Sequence, residues 1–166
     1  MNVRHVPWWG NRTHPTTRGD AVTRDPALED LVCFDLYAAS RAMTAYYRPL
    51  LAELDLTYPQ YLVLVLLAER ERPVPVGEVG RELHLDHGTL TPLLRRLEGA
   101  GRLSRARSST DERVVEVAIT EGGREAHARF AEIQCRVSEV LGLDEDELGG
   151  LQRSLRRLAD AVGARG

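Results

Sequence analysis

The stretch from residue 76 to residue 120 constrains the fold most, because helix and strand patterns alternate there over short distances. Residues 76–83 form a short helical segment after two prolines. A tight turn follows, and Asp86 is then a good N-cap for a second helix. Four leucines give that helix one apolar face: Leu90, Leu93, Leu94 and Leu97. The sequence Gly99-Ala100-Gly101 is expected to end it, since glycine adopts the left-handed conformation that closes many helices.

Two short segments with strand character come next, at residues 103–107 and 113–120. The polar residues 108–112 form the turn between them. A short helix, a tight turn, a helix with a polar outer face and a hairpin follow each other in a winged helix-turn-helix, whose second helix lies in the DNA major groove. We therefore predict a winged helix over about residues 57–120.

Helical patterns precede this segment. The first helix is predicted to begin at Asp25-Pro26, because Asp is a good N-cap and Pro suits the first helical position, and to end at Pro49. The next is predicted to begin at Thr57, which has the spacing of a capping box with Gln60, and to reach about Arg70.

Two more helices are predicted after the hairpin, at residues 121–141 and 144–162, the second opened by Asp144 with Glu147 three residues later. The expected fold is therefore mainly α. We interpret residues 1–24 as a flexible N-terminal arm and residues 25–166 as a single domain. In that domain the flanking helices, about 25–50 and 121–163, form an α-helical dimerisation region around the winged helix.

Composition narrows the class of protein. The chain has 166 residues and a net charge of −3, which fits one globular domain. Its longest apolar run is eight residues, against the roughly 20 of a membrane helix, so we expect a cytoplasmic protein with no membrane partner. Two cysteines and scattered histidines give no metal site, and no catalytic or nucleotide-binding motif is evident, so neither an enzyme nor a cofactor is expected.

A basic stretch lies inside this acidic chain. Residues 94–107 contain five arginines and one acid, Glu98. Such a patch neutralises phosphates, whereas short polar side chains near a helix N-terminus contact base edges. Arg113, at the hairpin turn, is the candidate for the minor groove. The candidate DNA-binding residues are His87, Thr89, Thr91, Arg95, Arg96, Arg105, Arg107, Asp111 and Arg113. The alternative is an amphipathic helix with a solvated arginine face.

These residues resemble a known family. Residues 86–98, DHGTLTPLLRRLE, followed by Asp-Glu-Arg at 111–113, resemble the recognition helix and wing of MarR-type transcription regulators. More narrowly, LYAASR at 36–41 and LTYPQYL at 56–62 are similar to the organic hydroperoxide resistance regulators, the OhrR subgroup. His87 stands where that subgroup usually has Ser.

The resemblance implies that Cys33 is the peroxide-reactive thiol and that Tyr47 and Tyr58 donate hydrogen bonds to it. Tyr37 lies one helical turn after Cys33 on the same face. Tyr47 is 14 residues from Cys33, which is about 21 Å along a continuous helix. A contact between them therefore requires a second subunit, in agreement with the homodimer and the two-fold DNA operators that the resemblance implies.

The chemistry requires a thiolate, which attacks the peroxide and becomes a sulfenic acid. Phenols that donate to the sulfur favour the thiolate, and we rank the helix N-terminus second because Cys33 is expected beyond the first turn. By resemblance, Cys135 of the other subunit resolves the sulfenic acid as a disulfide. The alternative is that Cys135 is a small core residue beside Ile133 and Val137.

The sequence and this resemblance together predict a homodimeric repressor that binds operator DNA when reduced. The resemblance implies that an organic hydroperoxide releases it by oxidising Cys33, which then joins Cys135 or a low-molecular-weight thiol. One alternative is a MarR-type repressor released by a small aromatic ligand that binds without covalent chemistry. Another is a thiol-dependent peroxidase that only resembles a regulator, against which the basic stretch argues.

Overall fold

The computed structural model describes residues 27–70 and 72–163, so the arm predicted at residues 1–24 lies outside the described residues. The chain divides into two compact units, residues 1–39 and 40–166. In the first, a 3-10 turn over Leu28–Asp30 precedes helix α1, which begins at Val32. The start signal at Asp25-Pro26 is not among the described residues. A continuous helix through residues 27–31 was a wrong prediction, because Leu31 has an extended backbone with φ −96° and ψ 104°. Apolar residues three apart suit both helix types, so the pattern did not separate them.

Helix α1 spans Val32–Ala52 and contains Pro49, which was wrongly predicted to end it. Proline removes one helical N–H and the hydrogen bond that it would donate. That loss is tolerated so near the helix end because the last turn is anchored by Leu51, which is fully buried. The proline therefore lies within the helix and leaves its final turn intact.

The winged-helix segment folds in the predicted order. Its elements are α2 Tyr58–Arg70, β1 Val74–Pro75, α3 Val76–Glu82, α4 His87–Gly99, β2 Leu103–Arg107 and β3 Val115–Ile119. The capping pair is confirmed at the start of α2, where the backbone N–H and the hydroxyl of Thr57 donate to Gln60 Oε1 at 2.8 and 2.9 Å. Just after the C-terminal end of α4, Gly101 has the expected positive φ of 68°.

The sheet has three antiparallel strands in the order β1-β3-β2, one more than predicted. In the hairpin, Leu103 pairs with Ile119 and Arg107 with Val115. The additional strand, β1, pairs Val74 with Val117. Sequence reasoning missed β1 because it is only two residues long and includes a proline. An edge strand accepts proline, since one of its sides needs no N–H donor.

Three helices complete the described chain: α5 Glu121–Ala128, α6 Phe130–Leu141 and α7 Glu145–Gly163. The single helix predicted over residues 121–141 is wrong. It breaks at Arg129, whose N–H bonds Ala126 O, three residues back, at 3.1 Å. The cap of α7 is confirmed, because Glu147 N donates to Asp144 Oδ1 at 2.9 Å and Asp144 N donates to Glu147 Oε2 at 3.0 Å.

The hydrophobic core of the second unit is built from residues of α1 to α6 and the sheet. Helix α7 contributes none, and its leucines Leu151 and Leu155 are 45% and 42% exposed. The mainly α winged-helix fold is thus confirmed. Within residues 27–70 and 72–163, no helix combines the length and the apolar character that a bilayer crossing requires.

Candidate nucleic-acid interface and thiol site

Helix α4 presents a polar face at its N-terminal end. Asp86 caps the helix, accepting from Thr89 N at 2.9 Å and from the Thr89 hydroxyl at 2.8 Å. These two hydrogen bonds, the backbone one first, hold the pKa of Asp86 below its ordinary value. His87 and Thr89 are exposed, as are Arg95 and Arg96 further along. The cap thus orders the turn on which the candidate base-reading side chains lie.

Thr91 was predicted on the outer face of α4 but is half-buried. Its hydroxyl lies 3.3 Å from His87 Nδ1, one helical turn back. This contact orients the imidazole of His87. Thr91 therefore lies beside the exposed face and supports its neighbour.

The arginines of the basic stretch differ in their surroundings. Arg105 is half-buried and pairs with Glu98 at 3.6 Å, so the acid of this stretch offsets one of its arginines. Arg107 is exposed, and its guanidinium donates to the carbonyl of Glu112 across the wing turn. Arg102 donates to the carbonyl of Gly122 at 2.7 Å, which connects the wing to α5. The candidate arginines that remain exposed are Arg95, Arg96, Arg107 and Arg113.

The turn of the wing is held by hydrogen bonds among its own residues. Asp111 Oδ1 accepts from Arg113 N at 3.0 Å, and Val114 N donates to the Asp111 carbonyl at 2.9 Å. Ser108 is buried, and its hydroxyl lies 3.1 Å from that of Thr110. Asp111 thereby shapes the backbone from which the exposed Arg113 side chain projects. The role that this geometry suggests for Asp111 is to hold the turn.

The base of the wing is joined closely to α5. The Thr120 hydroxyl donates to the carbonyl of Gly101 at 2.6 Å and also caps α5, accepting from Gly123 N at 3.2 Å. A Cβ on Gly123 would overlap the carbonyl oxygen of Arg102 and lie 2.7 Å from Ile119 Cγ1. Only glycine fits at this junction without displacement of the backbone. Sequence reasoning did not single out Gly123.

The first unit carries Cys33 and Tyr37. Cys33 is exposed and is the second residue of α1, so the prediction that it lies beyond the first turn is wrong. The break at Leu31 moves the helix start close to it. The unpaired N–H groups of a first helical turn favour a nearby anion. Tyr37, one turn further on, is 58% exposed.

Three tyrosines of the second unit form a cluster. The ring centroids of Tyr47 and Tyr58 are 4.8 Å apart, and those of Tyr47 and Tyr61 are 5.6 Å apart. Burial, with the nearby Tyr61 hydroxyl, raises the pKa of Tyr47 to about 12. Burial and then Tyr61 also raise the pKa of Tyr58. Both phenols therefore keep their protons at neutral pH and are able to donate hydrogen bonds.

Two residues of this site were not predicted: Tyr61, which belongs to the cluster, and Gln134, which contacts it. Gln134 Nε2, on α6, donates to the Tyr47 hydroxyl at 3.1 Å and to the Tyr61 hydroxyl. Tyr61 also packs on Phe130, with ring centroids 4.5 Å apart. In the sequence Gln134 is one polar residue on a helix surface, and no local signal distinguishes it. The contact joins positions 47 and 134, which only the fold brings together.

Cys135 is exposed on α6, between the buried Ile133 and Val137. The alternative of a small core residue is therefore wrong for this cysteine. Its thiol donates a weak hydrogen bond to Glu139 Oε1 at 3.8 Å. Both cysteines of the chain are thus present as exposed thiols.

Comparisons with known proteins agree with this architecture. A family model for transcriptional regulators of the SarA/Rot type matches residues 45–130. The HTH-type transcriptional regulator TtmR of Methylorubrum extorquens (strain PA1) is 44% identical over 142 residues, 85% of this chain and 72% of that protein. The organic hydroperoxide resistance transcriptional regulator of Bacillus subtilis (strain 168) is 43% identical over 138 residues, 81% of this chain and 91% of that protein.

A solved structure adds a third relative. AbfR of Staphylococcus epidermidis is 33% identical, with a TM-score of 0.69 over 81% of this chain and 92% of that chain. AbfR is also known bound to DNA in a reduced and in an overoxidized form. The chain belongs to the SarA/Rot-type, MarR-like family of winged-helix transcriptional regulators. Within that family, its similarity to the Bacillus subtilis protein supports the organic hydroperoxide resistance subgroup.

Proposed function

We propose that this chain is a peroxide-sensing repressor, which binds operator DNA as a reduced homodimer and releases it when an organic hydroperoxide oxidises Cys33. The observation that carries the proposal is the phenol cluster, in which the rings of Tyr47 and Tyr58 lie 4.8 Å apart. Two protonated phenols on one buried surface provide a pair of donors for a sulfur anion. The identity to an organic hydroperoxide resistance regulator supports the same function.

The chemistry at Cys33 is a two-electron oxidation. The thiolate attacks one peroxide oxygen, the O–O bond breaks, and the sulfur becomes a sulfenic acid while an alkoxide leaves and takes up a proton as the alcohol. The thiol of Cys135 from a second copy then attacks that sulfur, giving a disulfide and water. A small thiol does the same in a mixed disulfide. Hydrogen bonds from Tyr47 and Tyr58 stabilise the thiolate that begins this sequence.

The disulfide step requires a second copy of the chain, which we propose is the other subunit of a homodimer. Five apolar residues of α7 follow the three-and-four spacing of a coiled-coil seam: Leu148, Leu151, Leu155, Leu158 and Val162. Leu151 and Leu155 are nearly half exposed in the single chain, and Val162 is 66% exposed. Packing this stripe against a second copy removes it from water. The homodimer we propose therefore has α7 in its interface.

Each subunit of the dimer contributes one winged helix to DNA binding. In the proposed complex α4 enters the major groove, His87 and Thr89 meet base edges, and the exposed arginines bind phosphates. Arg113 at the wing reaches the neighbouring minor groove. The two α4 helices of the dimer must fit half-sites about one DNA turn apart, so a small movement between subunits releases the operator. A repressor of this kind acts in the cytoplasm and is not an enzyme, in agreement with the regulator names of the two relatives described above.

Non-reducing electrophoresis of peroxide-treated protein tests the thiol chemistry. With cumene hydroperoxide we expect a covalent dimer in the wild type. The dimer is absent in Cys33→Ser and in Cys135→Ser, and reduction reverses it. A covalent dimer that survives Cys33→Ser contradicts the proposal. In Cys135→Ser, mass spectrometry should find Cys33 as a sulfenic acid, or as a mixed disulfide when a small thiol is added.

A further inference from the structure

We propose that Gln134 is a positioning residue of the peroxide sensor, which acts through the hydroxyl of Tyr47. This inference rests on the proposed function, in which that hydroxyl donates to Cys33 of a second copy. Gln134 itself is not expected to touch the sulfur or the peroxide. Its role is to fix the direction in which the phenol proton points.

The amide of Gln134 bridges three helices. From α6 it donates to Tyr47 on α1 at 3.1 Å and to Tyr61 on α2. A primary amide carries two hydrogens, so it can supply one to each phenol oxygen. The side chain therefore ties two members of the cluster to one donor.

This donation sets the polarity of the Tyr47 hydroxyl. Because the oxygen accepts from the amide, its own O–H is directed to a different acceptor. Tyr47 is only 4% exposed, so water offers few acceptors at this position. The raised pKa of Tyr47 keeps that O–H protonated. In the single chain that acceptor is the Tyr61 hydroxyl, and this hydrogen bond is one cause of the raised pKa of Tyr47. In the proposed dimer the sulfur anion takes the place of Tyr61 as the acceptor.

Gln134 also connects the cluster to the second thiol. It directly precedes Cys135 on α6, so a displacement of Tyr47 is transmitted to the helix that carries Cys135. A second tie lies beside it, where the Tyr46 hydroxyl donates to the carbonyl of Arg136 at 3.3 Å. In the proposed dimer, oxidation at Cys33 of one copy is thereby coupled to Cys135 of the other copy through Tyr47 and α6.

The test measures the rate at which cumene hydroperoxide oxidises Cys33 in a Cys135→Ser background, where Cys33 is the only thiol. Loss of one oriented hydrogen bond in Gln134→Leu should slow this oxidation about fivefold to tenfold. Tyr47→Phe should slow it at least as much. Because Gln134 acts through Tyr47, adding Gln134→Leu to Tyr47→Phe should change the rate by less than about twofold.

A second variant and a control guard against simple misfolding. In Gln134→Glu the carboxylate accepts from both phenols and draws their protons away from the sulfur, so oxidation should again slow. Ser138→Ala, at an exposed position one turn further on α6, should leave the rate unchanged. Affinity of the reduced variants for a duplex selected from a random-sequence pool reports the fold and the dimer, and it should be preserved.

The two proposals fail in different ways. Unchanged oxidation in Gln134→Leu, or additive effects of Gln134→Leu and Tyr47→Phe, overturns the role of Gln134 and leaves Cys33 as the sensor. Release of Cys33→Ser from DNA by peroxide overturns the proposed function itself.

Discussion

The ring of Tyr47 on α1 lies 4.8 Å from the ring of Tyr58 on α2, although the two residues are separated by a helix end and a turn. Leu51, fully buried at the end of α1, and Leu56, buried before α2, hold this turn against the core. The two phenols are thus placed by packing and not by sequence proximity. Their shared burial has measurable consequences.

Stability should fall in alkali. Burial raises the pKa of Tyr47 to about 12 from the 10.0 of an ordinary phenol. Because the folded state holds this proton more tightly, the contribution of Tyr47 to the free energy of unfolding is full below pH 10 and is lost as the pH rises toward about 12. Urea unfolding at about pH 9 and about pH 11 measures this. Tyr47→Phe should lose less stability over that interval than the wild type, and an equal loss contradicts the assignment.

Gly123→Ala should destabilise the fold. A methyl group there overlaps the Arg102 carbonyl oxygen and crowds Ile119, so the backbone at the base of the wing must shift, at a cost of about 3 kcal/mol. Thermal or urea unfolding checks this value. Gly77→Ala is the matched control, because its added Cβ meets no atom within 4 Å beyond its chain neighbours and its own helix backbone. In helix α3 that change should be neutral or stabilise by about 0.5 kcal/mol. Equal effects of the two changes contradict the tight junction.

Arg113→Ala should weaken DNA binding mainly through charge. An arginine in the minor groove also displaces counterions from the DNA, so loss of one such charge from each subunit should decrease the slope of log affinity against log salt by about two for the dimer. Fluorescence anisotropy with a duplex selected by the reduced protein measures this slope. Arg153→Ala, on the exposed surface of α7, is the control and should keep the wild-type slope. An unchanged slope in Arg113→Ala would mean that this residue does not contact the DNA.

Leu155→Glu should dissociate the dimer. The side chain is 42% exposed in the single chain and lies in the apolar stripe of α7. Burying a carboxylate in place of a leucine in both subunits should weaken association by about 100-fold or more. Light scattering during gel filtration gives the mass. Arg156→Glu changes the charge on the opposite face of α7 and should remain dimeric. A dimeric Leu155→Glu protein means that α7 is not the interface.

Local signals in the sequence predicted much of the fold. Asp86, Thr57 and Asp144 were correctly identified at helix starts, since a cap and its partner lie within three residues of each other. The winged helix followed from the order of these helices and the hairpin. Strand β1 was not predicted, because a strand of two residues is too short to show an alternating pattern. Pro49 was wrongly predicted to end α1, because a proline three residues from a helix end removes only one hydrogen bond.

The same distinction between local signals and long-range contacts applies to the candidate sites. The exposed residues of α4 and the wing could be predicted, because they share one helix face and one turn. The partnership of Gln134 with Tyr47 and Tyr61 could not, since it joins three helices that are distant in sequence. Thr91 and Arg105 were recognised as polar, but only the structure places them half-buried.

DNA release by peroxide in wild type and Cys33→Ser tests the central claim most directly. A fluorescent duplex selected by the reduced protein is bound first, and cumene hydroperoxide is then added while anisotropy is recorded. We predict that the wild type leaves the duplex, that a reductant restores binding, and that Cys33→Ser stays bound throughout. Release of Cys33→Ser to the same extent, or a wild type that stays bound with Cys33 oxidised, would contradict the account.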